Sequence, residues 1–259
     1  ELERATPEWH PWLAMLRETA RAHDNGARPR AVRVVEPESP LEPAEDAPLL
    51  HGRTIKLDPK PLVRLAQRLA KSAPDGAGVR GFRTGAETVC ALIEATIQGS
   101  VEAGGLRSLG ELLAAPVLRS CAEALAARLP QHWPHGYCPV CGAWPTLAEL
   151  RGMDRARRLR CGRCAGDWQM VWLRCAYCGE TEHDQMARLA PEGSLESRFV
   201  EACATCRRYL KCTSTLTPLT QMELLVRDLE TVELDIAALD RGYQRPNAPA
   251  FPVSVRVHG

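Results

Sequence analysis

Four C-x-x-C pairs between residues 138 and 206 constrain this chain more than any other feature of its sequence. They contain eight of its eleven cysteines. In a reducing compartment, pairs with this spacing are typical of metal sites and not of a disulfide framework. The sequence therefore predicts metal binding by eight thiolates: Cys138, Cys141, Cys161, Cys164, Cys175, Cys178, Cys203 and Cys206. The other three, Cys90, Cys121 and Cys212, are expected to be small buried core residues.

The spacing of the pairs indicates how they are divided between two ions. A tetrahedral site needs four sulfurs about 2.3 Å from one ion, so the chain between its two pairs must turn back. Nineteen residues separate Cys141 from Cys161, with a strand, turn and strand pattern centred on residues 151–154. Twenty-four separate Cys178 from Cys203, with a turn signal at residues 191–194. Both intervals allow the chain to return.

The interval between Cys164 and Cys175 is different. Residues 168–174 have strand-forming composition, and seven extended residues span about 23 Å, which would hold the flanking pairs apart. We therefore predict two consecutive sites: Cys138, Cys141, Cys161 and Cys164 form the first, and Cys175, Cys178, Cys203 and Cys206 form the second. Spacing alone leaves open a cross-brace, in which the first pair joins the third and the second joins the fourth.

A site made of four thiolates favours a structural role. Its coordination is closed, so it has no position at which to activate water, and zinc bound in this way stabilises small ribbons. Iron also suits four thiolates, in which case electron transfer or redox sensing becomes a further hypothesis. The histidines nearest the pairs, His132, His135 and His183, are expected to lie at the surface or beside a site without acting as ligands.

The remaining sequence predicts an α+β fold. Helical patterns occupy residues 7–23, 84–98 and 109–129, and a helix begins after Asp58. An apolar stripe over residues 219–239, with capping-box spacing at its start, predicts a C-terminal helix that packs on the protein or binds a partner. Five segments are expected, in chain order: an N-terminal helix with a Pro-rich arm (1–57), a helical domain (58–135), a first metal ribbon (136–174), a second metal ribbon (175–217), and a C-terminal helix with a tail (218–259).

Several function classes find no support in the sequence. It contains no phosphate-binding loop, G-x-S-x-G or H-E-x-x-H, so a non-catalytic protein is expected. The formal net charge of +1 gives no general attraction to nucleic acid or membranes. The lack of a membrane-spanning apolar segment and of secretion-signal features at the start predicts a cytoplasmic protein.

One local basic segment could bind nucleic acid. Between Cys138 and Cys178 lie seven arginines: Arg151, Arg155, Arg157, Arg158, Arg160, Arg163 and Arg174. A basic ribbon of this kind can bind phosphates, which makes a zinc-ribbon regulator an alternative function. The favoured interpretation is that these arginines are solvated strand edges that resist aggregation.

The cysteine-rich half resembles a known family. The segments YCPVCGAWPTLAELRG, RRLRCGRCAGDWQMVWLRCAYCGETEH and CATCRRYLKC, followed by DLETVELDIAALDRGYQRP, are similar to the FdhE family of formate dehydrogenase accessory proteins. The similarity is specific over residues 136–246 and loose before them. It implies a cytoplasmic maturation factor, or chaperone, that binds the catalytic subunit of formate dehydrogenase. It also implies two rubredoxin-like or zinc-ribbon units in which the eight paired cysteines bind two ions of zinc or iron.

Overall fold

The computed structural model describes residues 10–24, 32–35, 46–73, 79, 82–102, 104–191 and 197–259. The chain forms two compact units, Glu1–Arg128 with Pro252–Gly259, and Leu129–Phe251. The combination of helices and sheets confirms the α+β class. The predicted five segments are a finer division than these two units and stay a prediction.

The described residues contain six α-helices and nine strands. The helices are α1 (His10–Asp24), α2 (Lys60–Ser72), α3 (Ala86–Gln98), α4 (Gly105–Ala124), α5 (Gln221–Glu230) and α6 (Val232–Leu239). The strands are β1 (Arg33–Val35), β2 (Arg53–Lys56), β3 (Leu147–Arg151), β4 (Ala156–Arg160), β5 (Asp167–Gln169), β6 (Met186–Leu189), β7 (Arg198–Cys203), β8 (Arg208–Thr215) and β9 (Val255–His258).

The first unit is largely helical, as the sequence predicts. Helix α2 begins where the side chain of Asp58 accepts a hydrogen bond from the Lys60 N–H, at 3.0 Å, and Pro61 lies in its first turn. Its apolar side chains are buried: Leu62, Leu65, Ala66 and Leu69. A three-stranded sheet in the order β1-β2-β9 completes the unit. This sheet was not predicted, because its strands are short and β9 comes from the end of the chain.

The second unit is built on one six-stranded sheet in the order β5-β4-β3-β8-β7-β6. Strands β3 to β5 form an antiparallel ribbon around the first two cysteine pairs, and β6 to β8 form another around the last two. The prediction of two consecutive ribbons with about three strands each is confirmed. The ribbons join through parallel pairing of β3 with β8, in which Ala148 lies opposite Cys212. The sequence did not predict this junction.

The connection between the ribbons differs from the prediction of seven extended residues. Strand β5 ends at Gln169, and the chain then turns through Leu173, whose φ of 56° lies in the left-handed region. The buried side chain of Arg157 donates to the carbonyl oxygens of Val171 and Arg174, at 3.2 and 3.3 Å, and fixes this turn. The prediction of a continuous strand is therefore wrong. The predicted turn at residues 191–194 lies outside the described residues, apart from Pro191.

The predicted C-terminal helix is two helices, because the chain breaks at Thr231, whose φ of −114° and ψ of 30° are not helical. The predicted capping box is confirmed, with Thr220 and Glu223 each bonding the other's backbone N–H. Helix α6 packs Leu234 and Ala238 into a core cluster with side chains from β7 and β8. No described helix combines the length and apolar character needed to cross a membrane.

Candidate metal centres

Each C-x-x-C pair forms the same tight turn. The residue after its second cysteine has a left-handed φ: 70° at Gly142, 64° at Ala165, 77° at Gly179 and 56° at Arg207. In the first three turns this residue donates its N–H to the carbonyl of the pair's first cysteine, at 3.0 to 3.1 Å. The repeated backbone conformation turns both sulfurs of a pair toward one point.

The first group is sealed inside the first ribbon. Cys138, Cys141, Cys161 and Cys164 are buried, and their four sulfurs lie within 4.8 Å of one another. The Cys138 Sγ lies 3.4 Å from the Cys164 Sγ, and the Cys141 Sγ lies 3.6 Å from the Cys161 Sγ. A Cβ at Gly166 would lie 2.8 Å from the Cys138 Sγ, so glycine is needed for the backbone to pass this close.

The second group has the same geometry but is partly open. The sulfurs of Cys175 and Cys206 are 3.7 Å apart, as are those of Cys178 and Cys203. Cys178 is exposed and Cys206 is half-buried. Between the cysteines of the third pair, Tyr177 donates its N–H to the Cys175 Sγ at 3.4 Å and its hydroxyl to the Tyr209 carbonyl at 2.9 Å. These contacts attach the turn to strand β8.

The donor set fits a four-coordinate metal ion. Four sulfurs about 2.3 Å from one ion at the corners of a tetrahedron are about 3.8 Å apart, close to the separations in both groups. A disulfide would need about 2.05 Å. The structure brings the eight sulfurs together in the tandem arrangement, and Cys141 and Cys175 lie in different groups, which excludes the cross-brace. That these residues bind metal stays a prediction.

Because the sulfurs of each group lie close together, the pKa values of their thiols differ from one another. In the first group, hydrogen bonds from the thiols of Cys138, Cys141 and Cys164 lower the pKa of Cys161 well below its usual range, whereas burial raises that of Cys138. In the second group, burial raises the pKa of Cys175 to about 11. Binding an ion requires the other thiols to lose their protons, so metal affinity should fall as the pH falls.

Four arginines of the first ribbon pair with carboxylates: Arg151, Arg157, Arg158 and Arg160. Glu149, which is completely buried, accepts from Arg160, and from Arg151 at 2.9 Å. Asp167 accepts from Arg158 at 2.6 Å. The interpretation of these arginines as solvated strand edges is wrong for Arg157 and Arg160, which are buried. Arg157 pairs with Glu201 on β7, at 2.7 Å, and so links the two ribbons.

The remaining predicted residues lie away from the sulfur groups. Cys90, Cys121 and Cys212 are buried, which confirms that they are core residues. His132 and His183 are exposed, and the His135 ring stacks on Tyr137 with centroids 4.9 Å apart. Within the described residues, no histidine joins a group able to hold a metal ion.

Sequence reasoning missed a second ionic network, which holds the C-terminal helices on the sheet. The buried ammonium of Lys211 pairs with Asp228 at 2.8 Å and with Asp235 at 2.7 Å. Arg245 pairs with the same two carboxylates, and Tyr209 donates its hydroxyl to Asp235 at 2.7 Å. The only signal in the sequence was the position of Lys211 between Leu210 and Cys212 in β8.

Comparisons with known proteins agree with the resemblance found in the sequence. Residues 173–251 match the family model described as FdhE, C-terminal domain. A protein named FdhE homolog from Aquifex aeolicus is 28% identical over 161 residues, which cover 60% of this chain and 55% of that protein. One from Stutzerimonas stutzeri is 37% identical over 121 residues, covering 44% of this chain and 38% of that protein. The chain thus spans about half or less of the length of these relatives.

A solved structure shares the fold. The crystal structure of the FdhE protein from Pseudomonas aeruginosa matches 93% of this chain and 86% of its own, with a TM-score of 0.61 and 22% sequence identity. The similarity to FdhE is therefore confirmed by the family model, by named relatives and by the fold. The family-model match contains the whole second sulfur group and helices α5 and α6.

Proposed function

We propose that this protein is an accessory factor of formate dehydrogenase that binds the enzyme's catalytic subunit during its maturation. The observation that carries the proposal is the FdhE match over the second four-cysteine group and the helices that follow it. A cytoplasmic location goes with this role, because the catalytic subunit would be bound before its assembly or export is complete.

Each sulfur group would hold one zinc or iron ion. Sulfur separations of 3.4 to 3.7 Å and the four-thiolate donor set suit either metal. A bound ion would supply a cross-link that stabilises a ribbon too small to fold on its own apolar core. The residues of the chain position the ligands through the repeated left-handed turns.

The same donor set supports a non-catalytic role for the metal sites. Four thiolates leave no coordination position for water or a substrate, so an ion held there would not act as a Lewis acid. The buried first group is further removed from any reactant. A redox role would require iron, and the metal content and absorption spectrum of the purified protein distinguish the two metals.

The nucleic-acid alternative loses much of the positive charge on which it rested. Arg151, Arg157, Arg158 and Arg160 all pair with carboxylates of the same unit. Guanidinium groups neutralised in this way add little to phosphate binding, which depends on uncompensated positive charge. The protein-partner function is therefore the better supported one.

The test is complementation in a bacterium that encodes this chain. A strain lacking the gene is expected to lose formate-dependent dye reduction by its formate dehydrogenase, and the wild-type gene should restore it. A Cys203→Ser and Cys206→Ser double variant should restore less than a tenth of the activity, because it lacks half of the second group's ligands. Cys90→Ala is the matched control, since Cys90 is a buried cysteine outside both groups.

A binding measurement completes the test. The tagged protein should retain the purified catalytic subunit, and the double variant should not. Full formate dehydrogenase activity in the deleted strain, together with no retention of the catalytic subunit by the wild-type protein, would rule the proposed function out.

A further inference from the structure

Strand β6 is the last strand at one edge of the six-stranded sheet, and no described strand pairs with its outer side. Ala204 donates its N–H to the Gln185 carbonyl, and by the alternation of an antiparallel ladder Ala187 and Leu189 then exchange hydrogen bonds with β7. The N–H and C=O groups of Arg188 and the C=O group of Met186 consequently point away from the sheet, and within the described part of the chain no group bonds to them. The Met186 N–H already donates to the His183 carbonyl. Such an edge can accept another strand.

A groove of about 390 Å³ runs along this edge. It is lined by Leu173, Arg174, His183, Met186, Ala187, Arg188 and Glu201. The side chain of Leu173 is 56% exposed although it is apolar. The left-handed φ of 56° at this leucine is unfavourable, and the buried Arg157 fixes the turn on both sides of it. The protein thus fixes an apolar side chain beside the open strand.

The groove also carries positive charge. The Arg188 guanidinium lies 4.8 Å from the centroid of the Phe199 ring and 5.5 Å from that of Trp172, which hold it in place. Among the described residues, neither Arg188 nor Arg174 forms an ion pair with a carboxylate. The carboxylate that does line the groove, Glu201, is already paired with Arg157 at 2.7 Å. The groove is therefore complementary to an acidic ligand.

We propose that an extended segment of the partner protein, with alternating acidic and apolar side chains, adds a strand to β6. Its backbone would pair with the outward N–H and C=O groups of Arg188 and with the C=O group of Met186. An apolar side chain would pack on Leu173, and a carboxylate would pair with Arg174 or Arg188. This inference rests on the proposed function, in which the partner is the catalytic subunit of formate dehydrogenase. A peptide fits better than a nucleic acid, because only a peptide backbone matches the alternating donors and acceptors of a strand edge.

The test measures binding of the full-length protein to the purified catalytic subunit by titration calorimetry. Leu173→Asn removes the apolar side chain and suits a left-handed backbone, and Arg188→Glu reverses the charge; each is expected to weaken binding at least ten-fold. Arg227→Glu is the matched control, since Arg227 lies on α5, pairs with Glu230 and lies outside the groove. It should bind within two-fold of the wild type.

Hydrogen exchange distinguishes strand addition from a general effect of these substitutions. The Arg188 amide should exchange quickly in the free protein and become protected in the complex. The inference is wrong if the wild-type protein binds the subunit and both variants bind equally well, or if this amide stays unprotected. It is also wrong if Arg188→Glu leaves the affinity for the catalytic subunit unchanged and lowers only the affinity for a labelled single-stranded RNA. No binding by the wild-type protein would refute this inference, and together with full formate dehydrogenase activity in the deleted strain it would refute the proposed function as well.

Discussion

Replacing Glu149 with Gln should destabilise the second unit. The Glu149 side chain is inaccessible to solvent and accepts hydrogen bonds from two arginines, Arg151 and Arg160. It also accepts from the Thr215 hydroxyl at 3.1 Å and from the Leu219 N–H at 3.3 Å. An amide in its place would direct an N–H toward donors that need an acceptor. It would also leave the buried Arg160 without its closest counter-ion.

The expected cost can be bounded from the surroundings of Arg160. Breaking a buried ion pair by removing one partner costs about 3 to 5 kcal/mol. Asp167 lies 3.9 Å from the Arg160 guanidinium and still compensates part of the charge. We therefore expect a loss of about 3 kcal/mol in the free energy of unfolding, at the lower end of that range. With an m-value of about 1 to 3 kcal/mol/M, the urea midpoint should fall by about 1 to 3 M.

The assay is urea unfolding followed by tryptophan fluorescence, with metal content matched between proteins. Glu233→Gln is the control, because Glu233 pairs with Arg198 at 3.8 Å and both side chains are more than 40% exposed. Its loss should cost less than about 1 kcal/mol. A Glu149→Gln protein within 1 kcal/mol of the wild type, or equal to the control, would show that the buried pair contributes no such stability.

Three further outcomes follow from the structure. Metal release to a chelator should have two phases, because Cys178 is exposed whereas the first group is buried, and Cys178→Ser should abolish the fast phase. Ala165→Gly should stabilise the protein by up to about 1 kcal/mol in thermal unfolding, because φ is 64° there, whereas Ala148→Gly on β3 should destabilise it. Burial opposes ionisation of Asp228, but Arg245 and Lys211 hold its pKa below the usual range. The destabilisation caused by Asp228→Asn should therefore be largest at pH 7 and decrease as the pH falls below about 4. Urea unfolding of the variant and the wild type at each pH measures this difference.

The sequence predicted the features that depend on neighbouring residues. The spacing of the cysteines and the turn around Gly152 required each ribbon to fold back on itself, and the structure has those ribbons. The capping box at Thr220 was visible for the same reason, since its two bonds join residues three apart. Local geometry of this kind leaves the chain few alternatives.

The features that could not be predicted depend on distant residues. The pairing of β3 with β8 joins segments some sixty residues apart in the sequence, and no local pattern specifies it. Burial of Arg157 and Arg160 was also unexpected, because charged side chains are rarely buried unless paired, and their partners became visible only in the fold. The left-handed turn at Leu173 is another example, since its cause is the distant side chain of Arg157.

The two ribbons have similar cysteine spacing but different surroundings, and this difference separates their roles. The first ribbon encloses its sulfurs and pairs Arg151, Arg158 and Arg160 with Glu149 and Asp167. The second ribbon exposes Cys178 and presents the open edge of β6 with Arg188 beside it. The four cysteines determine how each ribbon folds, whereas the residues around them determine which other molecules the ribbon can bind. Under the proposed function, binding of the catalytic subunit is therefore expected to weaken when the groove beside β6 is altered, at Leu173 as well as at Arg188. Changes on β3 to β5 should act on stability when they reach the buried core of the first ribbon.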